Sequence, residues 1–447
     1  MRSSKRQAAG SAGGFLKTCN TCFLGVASSA DFVLQRKLSG LFNQVLTARL
    51  ASGKLATLDV LQGLLLHIAW AHYQNRPRSY TQQLHLATSI VTDLRLERPR
   101  RQQLWSVDKS NEGTTAEWPS DELRAMIGTY YLASCTSIVL QKMHTFPYTG
   151  FILESCQILE RRGDCSSDGH LRHIVHLQCL VEELEAAVRL PSHATDTVIL
   201  SVRDRMDTIK SDLSFPLRDC PILGLQLSVF ELLISQQSLP HLPLGATQRL
   251  VGETLQPILD PLLECIMATK DVLSGFLVVP AGYEHFLLNL EWIVLSWSLS
   301  LSARVDVLAS DPSMAHVSGR ARRRLDFRYT LRQVSLRLES LASAHEDSTG
   351  DRDVFYQFLK RARGIEAWYL RRTELDSLPT SGSDAAAASN AGTTISRSVA
   401  VASASTIDPS ESGHTTSNNL SFADFFPQET QDVDYGMFLG MQDFDLF

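Results

Sequence analysis

The chain has 447 residues, 44% of them hydrophobic, enough for one large or two ordinary domains with a substantial core. Its net charge of -6 gives no reason to expect nucleic-acid binding by the chain as a whole. The charge is unevenly placed: residues 376–447 hold ten acids and one base, Arg397, so they carry -9 and the remainder carries +3.

Eight cysteines are scattered at positions 19, 22, 135, 156, 165, 179, 220 and 265. Most sit in apolar helical patterns, which points to a reducing compartment rather than a disulfide framework. The most apolar run, 286–301, is shorter than the ~20 residues a bilayer requires and is flanked or interrupted by Glu284, His285 and Glu291. The N-terminus is a poor signal peptide, with Lys17 and Asn20 ahead of a short apolar patch. These features leave cytoplasm or nucleus.

Residues 1–30 are rich in Ser, Gly and Ala and are expected to be flexible. Residues 31–50 form a helix whose buried side is expected to carry Leu34, Leu38, Leu41, Val45 and Ala48. A helix hairpin spans 58–98. Its first arm presents Leu61, Leu64, Leu65, Ile68 and His72, widened by Trp70 and Tyr73. Arg76-Pro77 breaks the helix, because proline has no amide donor and disfavours helix at the residue before it. The second arm presents Leu84, Leu86, Ile90, Val91 and Leu94.

Residues 105–119 are polar and read as a surface loop. Ser120 then caps a helix bearing Leu123, Ile127, Tyr130, Ser134 and Ile138, which Phe146-Pro147 stops. A short helix at 151–162 precedes one opened by Asp168 or Gly169, with Leu171, Ile174, Leu177, Val181, Leu184 and Val188 in step. Residues 195–213 form a helix with Arg203, Asp204, Arg205 and Asp207 exposed. Residues 219–235 are apolar all round and are expected to be buried. Further helices are expected at 257–275, 283–308, 319–344 and 351–373. Phe327, Leu331, Val334, Leu338 and Leu341 form the stripe of the third. The best period-two run, 276–279, is short. The fold class is therefore all-α, with one helical body at 31–375.

Beyond it the composition changes. Residues 376–419 are a Ser/Thr/Ala-rich linker that cannot offset the ordering entropy of a packed core, so disorder is expected. Residues 420–447 interleave acids with Phe422, Phe425, Phe426, Phe438, Leu439, Phe444 and Phe447. Asp424, Asp432, Asp434, Asp443 and Asp445 would keep these apolar groups in water and available to a partner groove. The alternative is an ordinary solvated tail.

Two stretches carry a family resemblance. LDVLQGLLLHIAWAHYQNRP followed by LATSIVTDLRLERP, and then LRAMIGTYYLASCTSIVLQKMHTFPYTGFILESCQILE, resemble the regulatory (middle homology) domain of fungal zinc-cluster transcription factors. The match covers roughly residues 58–184. It implies a nuclear regulator of RNA polymerase II transcription, with a metabolic gene cluster as one class of target and transcriptional coactivators as partners of the tail. It also implies no catalytic residue and no cofactor in the helical body.

The family's DNA-binding module needs six clustered cysteines, and here only Cys19-x-x-Cys22 is near the N-terminus. No histidine in the first sixty residues could complete a four-ligand site, so the pair is incomplete as a zinc site. Zinc and direct DNA contact are expected only if a cluster is encoded upstream of Met1. The alternative function is a non-DNA-binding helical interaction protein that modulates a full-length zinc-cluster paralogue. A DNA-bound paralogue or a homodimer is then the partner, and no membrane is involved.

Two further clusters invite chemistry. His170, His173 and His176 with Cys179 recur every three residues on one helix, a spacing that rotates around the helix and favours a solvated edge over a metal site. Arg320, Arg322, Arg323 and Arg324 form a basic cluster expected at a helix start, readable as a nuclear-import patch or as a solvated face. No phosphate-cradling loop, dinucleotide fingerprint, nucleophile elbow or H-E-x-x-H is present, so no enzyme is expected.

Overall fold

Among the described residues the first regular element, α1, is the helix Phe32–Ala51, and every regular element after it is also helical. The computed structural model describes residues 32–71, 79–99, 118–139, 146–187, 192–239, 256–346 and 352–377. Three apolar clusters, taken in chain order, organise them.

The first cluster is built on α1 and the hairpin α2 (Leu58–Ala69) and α3 (Ser79–Asp93). Thr57 caps α2 by accepting the Val60 amide at 3.4 Å, so the helix starts where its apolar stripe starts. Leu61, Leu64 and Ile68 are fully buried, each contributing about 1.5–3 kcal/mol of transfer free energy. The hairpin packs on α4 (Ser120–Val139), whose first turn carries Asp121 and Glu122 at the positive end of the dipole. α5 (Gly150–Arg162) closes the cluster and ends at Gly163, whose φ of 63° is a left-handed cap glycine adopts without strain.

α6 (Asp168–Ala187) passes from the first cluster to the second. Arg124 of α4 fixes its start, donating to both oxygens of buried Asp168 at 2.9 and 2.7 Å. The second cluster joins α6 to α7 (Ser192–Ser211) and α8 (Pro221–Gln237) through Leu177, Leu180, Val202, Leu223 and Phe230.

The third cluster holds α9 (Gln256–Val278), α10 (Asn289–Ala309), α11 (Ala315–Leu325), α12 (Phe327–Leu341) and α13 (Val354–Ser377). α10 is its axis. By length and composition alone α10 could cross a membrane, but 89% of its apolar window is buried inside the protein, as for a core helix. Trp292 stacks on Phe358 with ring centroids 4.4 Å apart. The serines of α10 alternate with apolar residues at a strand-like period, yet the segment is helical. Ser300 and Ser302 donate to the carbonyls of Ser296 and Ser298 at 3.0 and 2.7 Å, one turn back, so these hydroxyls are satisfied inside the helix.

Two expectations are corrected, and one feature of the sequence is accounted for. The buried side of α1 is not the leucine stripe: Leu34 and Leu41 are 39% and 45% exposed, while Gln35, Ser39 and Phe42 are buried. The cause lies opposite, where His67 of α2 accepts from Ser39 at 2.9 Å through Nε2, donates from Nδ1 to Gln83 of α3 at 3.0 Å and stacks on Phe42. The sequence stretch 319–344 is not one helix. Asp326 takes a left-handed conformation (φ 39°, ψ 62°), ends α11 and caps α12 by accepting the Tyr329 amide at 3.3 Å. The period-two run 276–279 is the end of α9 and the residue after it. Arg337 of α12 donates there to the carbonyls of Phe276, Leu277 and Val279 and pairs with buried Glu284 at 2.5 Å.

Candidate functional site

Where the three clusters meet, the packed helices leave a cavity of about 90 Å3. Its walls come from α4 (Tyr131, Cys135, Ile138), α6 (Gln178, Val181), α8 (Ile222, Leu225, Gln226, Val229, Leu233) and the start of α10 (Leu288, Leu290, Glu291, Val294). Most of this lining is apolar. Ile222 is 39% exposed and stands at the rim.

One corner is polar, and a hydrogen-bond chain behind it sets its polarity. Glu182 can only accept as a carboxylate. Tyr130 donates to it at 2.9 Å, and Ser134 donates to the same oxygen. With its proton committed, the Ser134 oxygen accepts from Gln178 Nε2 at 2.9 Å. Gln178 Oε1 then accepts from the Cys135 thiol and from Gln226 Nε2, each at 3.3 Å. The chain ends at Gln226 Oε1, which is buried in the cavity wall with no hydrogen-bond partner among the described residues.

Glu291 is the second polar group. One carboxyl oxygen accepts the Leu288 amide and caps α10. Burial pushes its carboxyl up to about 7, against the opposing pull of that amide. Burial also raises the Cys135 thiol to about 12, so it is no nucleophile near neutrality. Burial and then the neighbouring Cys135 hold the Tyr131 phenol well above its ordinary range.

The structure separates the residues singled out from the sequence. Cys19, Cys22 and the tail residues Phe422, Phe425, Phe426, Phe438, Leu439, Phe444 and Phe447 lie outside the described residues. Arg322, Arg323 and Arg324 are in the last turn of α11 and Arg320 is just before it, not at a helix start, because Asp326 breaks the chain directly after them. Cations at that end complement the helix dipole. Arg320, Arg323 and Arg324 are exposed, but Arg322 is turned inward and held by Asp306 of α10.

The histidine row is not a uniform solvated edge either. His173 is buried against Phe215, His170 also packs on Phe215, and only His176 is exposed. Among the described residues no group of three or more His, Cys, Asp or Glu is placed to hold a metal ion. Sequence reasoning missed Gln226 and Glu291, which are 65 positions apart and meet only through packing.

Two curated proteins are similar to this chain. Transcription factor himD of Aspergillus japonicus is 33% identical over 327 residues, which is 71% of this chain and 54% of that protein. Transcription factor opdL of Penicillium oxalicum is 25% identical over 258 residues, 52% of this chain and 44% of that protein. These similarities support a family of fungal transcription factors. The chain spans about half the length of these curated relatives. No family model matches the chain. No solved structure matches it.

Proposed function

We propose that the chain is a fungal regulator of RNA polymerase II transcription and not an enzyme. The helical body is its regulatory part, acting in the nucleus. The observation that carries this reading is the 33% identity with himD over 327 residues, an extent that must include most of the helical body. The acidic-aromatic segment 420–447 contacts coactivators through Phe438, Leu439, Phe444 and Phe447. Control of a metabolic gene cluster is the finer form of this reading. Membership of the zinc-cluster branch rests on the residues of 58–184 that resemble its regulatory domain, with Cys19 and Cys22 too few to read DNA.

The test fuses residues 376–447 to a foreign DNA-binding domain and reads a reporter. The expected result is activation that falls to the level of the DNA-binding domain alone when Phe438, Leu439, Phe444 and Phe447 become alanine. A fusion that never exceeds that level removes the tail from the account. The body would then act by pairing with a DNA-bound paralogue.

A further inference from the structure

The junction cavity has the two properties of a small-molecule site: a concave apolar lining and a few converging polar groups. Its volume of about 90 Å3 is several times the ~10–15 Å3 that admits a single water. The polar corner also has a definite sense. Because Glu182 can only accept, every donor along Ser134, Gln178 and Gln226 points toward it, and the unsatisfied atom at the far end is an acceptor, Gln226 Oε1. Glu291 lines the same cavity with one carboxyl oxygen committed to the Leu288 amide. Leaving a buried acceptor unmade is costly, so a partner that supplies a proton donor there gains the full hydrogen bond.

We propose that this cavity binds a small apolar molecule, about the size of one substituted ring, that carries a single N–H or O–H donor. The ring fills the space between Val229 and Val294, and the donor meets Gln226 and Glu291. Above the Glu291 titration, at pH 8, carboxylates are excluded, because they would set an anion against the ionised Glu291 carboxylate and offer no donor. The site touches α4, α6, α8 and α10 at once, so its occupant bridges the three clusters. The inference concerns binding alone and stands whether or not the chain regulates transcription.

The test is calorimetric titration of the full 447-residue chain at pH 8 with 4-methylphenol, with toluene and benzoate as controls. The expected result is saturable binding of one 4-methylphenol per chain, about tenfold tighter than toluene, with no measurable benzoate binding. Gln226→Leu and Glu291→Gln should each reduce the preference for 4-methylphenol over toluene by at least about threefold, with toluene binding retained. Val229→Trp fills the cavity and should weaken 4-methylphenol at least about tenfold while the chain still melts cooperatively. If Val229→Trp does not fold, Ile222→Trp at the exposed rim decides in its place. Absence of saturable binding, benzoate binding as tight as 4-methylphenol, or unchanged affinity in a folded filled variant each overturns the proposal.

Discussion

Arg322 and Asp306 form a two-pronged ion pair, with Nε and a terminal nitrogen each donating at 3.0 Å, and this joins α11 to α10. The Tyr369 hydroxyl adds a third donor to Asp306 at 2.6 Å from α13. Asp306 is nearly fully buried, so its charge is tolerable only because all three donors converge on it. Asp306→Ala is expected to lower stability by about 2–4 kcal/mol, since it leaves the half-buried Arg322 guanidinium and the Tyr369 hydroxyl without their shared acceptor. Urea unfolding of the purified chain measures this. A loss under about 1 kcal/mol would show that Arg322 re-solvates freely.

The same ion pair divides the arginine cluster. Arg322 is occupied, so any import receptor has Arg320, Arg323 and Arg324 to read. Changing these three to glutamine should reduce nuclear accumulation of a fluorescent fusion severalfold. The unfolding free energy should shift by no more than about 0.5 kcal/mol per exposed position. Unchanged accumulation in a folded triple variant would remove the patch from the account.

His67 makes the fold sensitive to acid. It is 1% exposed, and burial pulls its imidazole down to about 4, with the Gln83 hydrogen bond opposing only in part. The folded state therefore keeps His67 neutral where the unfolded chain already binds a proton. This stability is present in full above about pH 6.5 and is lost as the pH falls toward 4, an effect of about 3 kcal/mol. His67→Gln should flatten the unfolding free energy across that window, measured by denaturant titration at several pH values. A parallel decline in both proteins would assign the acid sensitivity elsewhere.

Glu291 acts in the opposite direction. Its carboxyl is raised to about 7, so the folded state holds a proton that the unfolded chain releases near 4.5. Stability should fall as the pH rises through that interval and level off above 7. Glu291→Gln keeps an oxygen to cap the Leu288 amide and removes the buried charge. The variant should gain about 2–3 kcal/mol at pH 8 and little at pH 4. Thermal unfolding at the two pH values distinguishes these outcomes.

The helical class and most helix positions were legible in the sequence, because apolar residues recur at helical spacing; the stretch 219–235, apolar all round, is helical from Pro221 but buries only one side, with Ile222 exposed. The face of α1 was not. Periodicity ranks Leu34 and Leu41 above Gln35 and Ser39, yet His67 and Gln83 offer a polar match that brings the polar side inward. The break at Asp326 was hidden because a left-handed aspartate leaves no proline or glycine mark. The cavity was illegible for a different reason. Tyr131, Gln178, Gln226 and Glu291 lie on four helices, and no local pattern signals that packing brings them to one cavity.

The most direct test of the central claim fuses the full chain to a foreign DNA-binding domain and measures transcript from a reporter bearing its site. As a transcription regulator, the chain should change reporter transcript severalfold relative to the DNA-binding domain alone. Stable, nuclear fusion protein with transcript indistinguishable from that control would contradict the account.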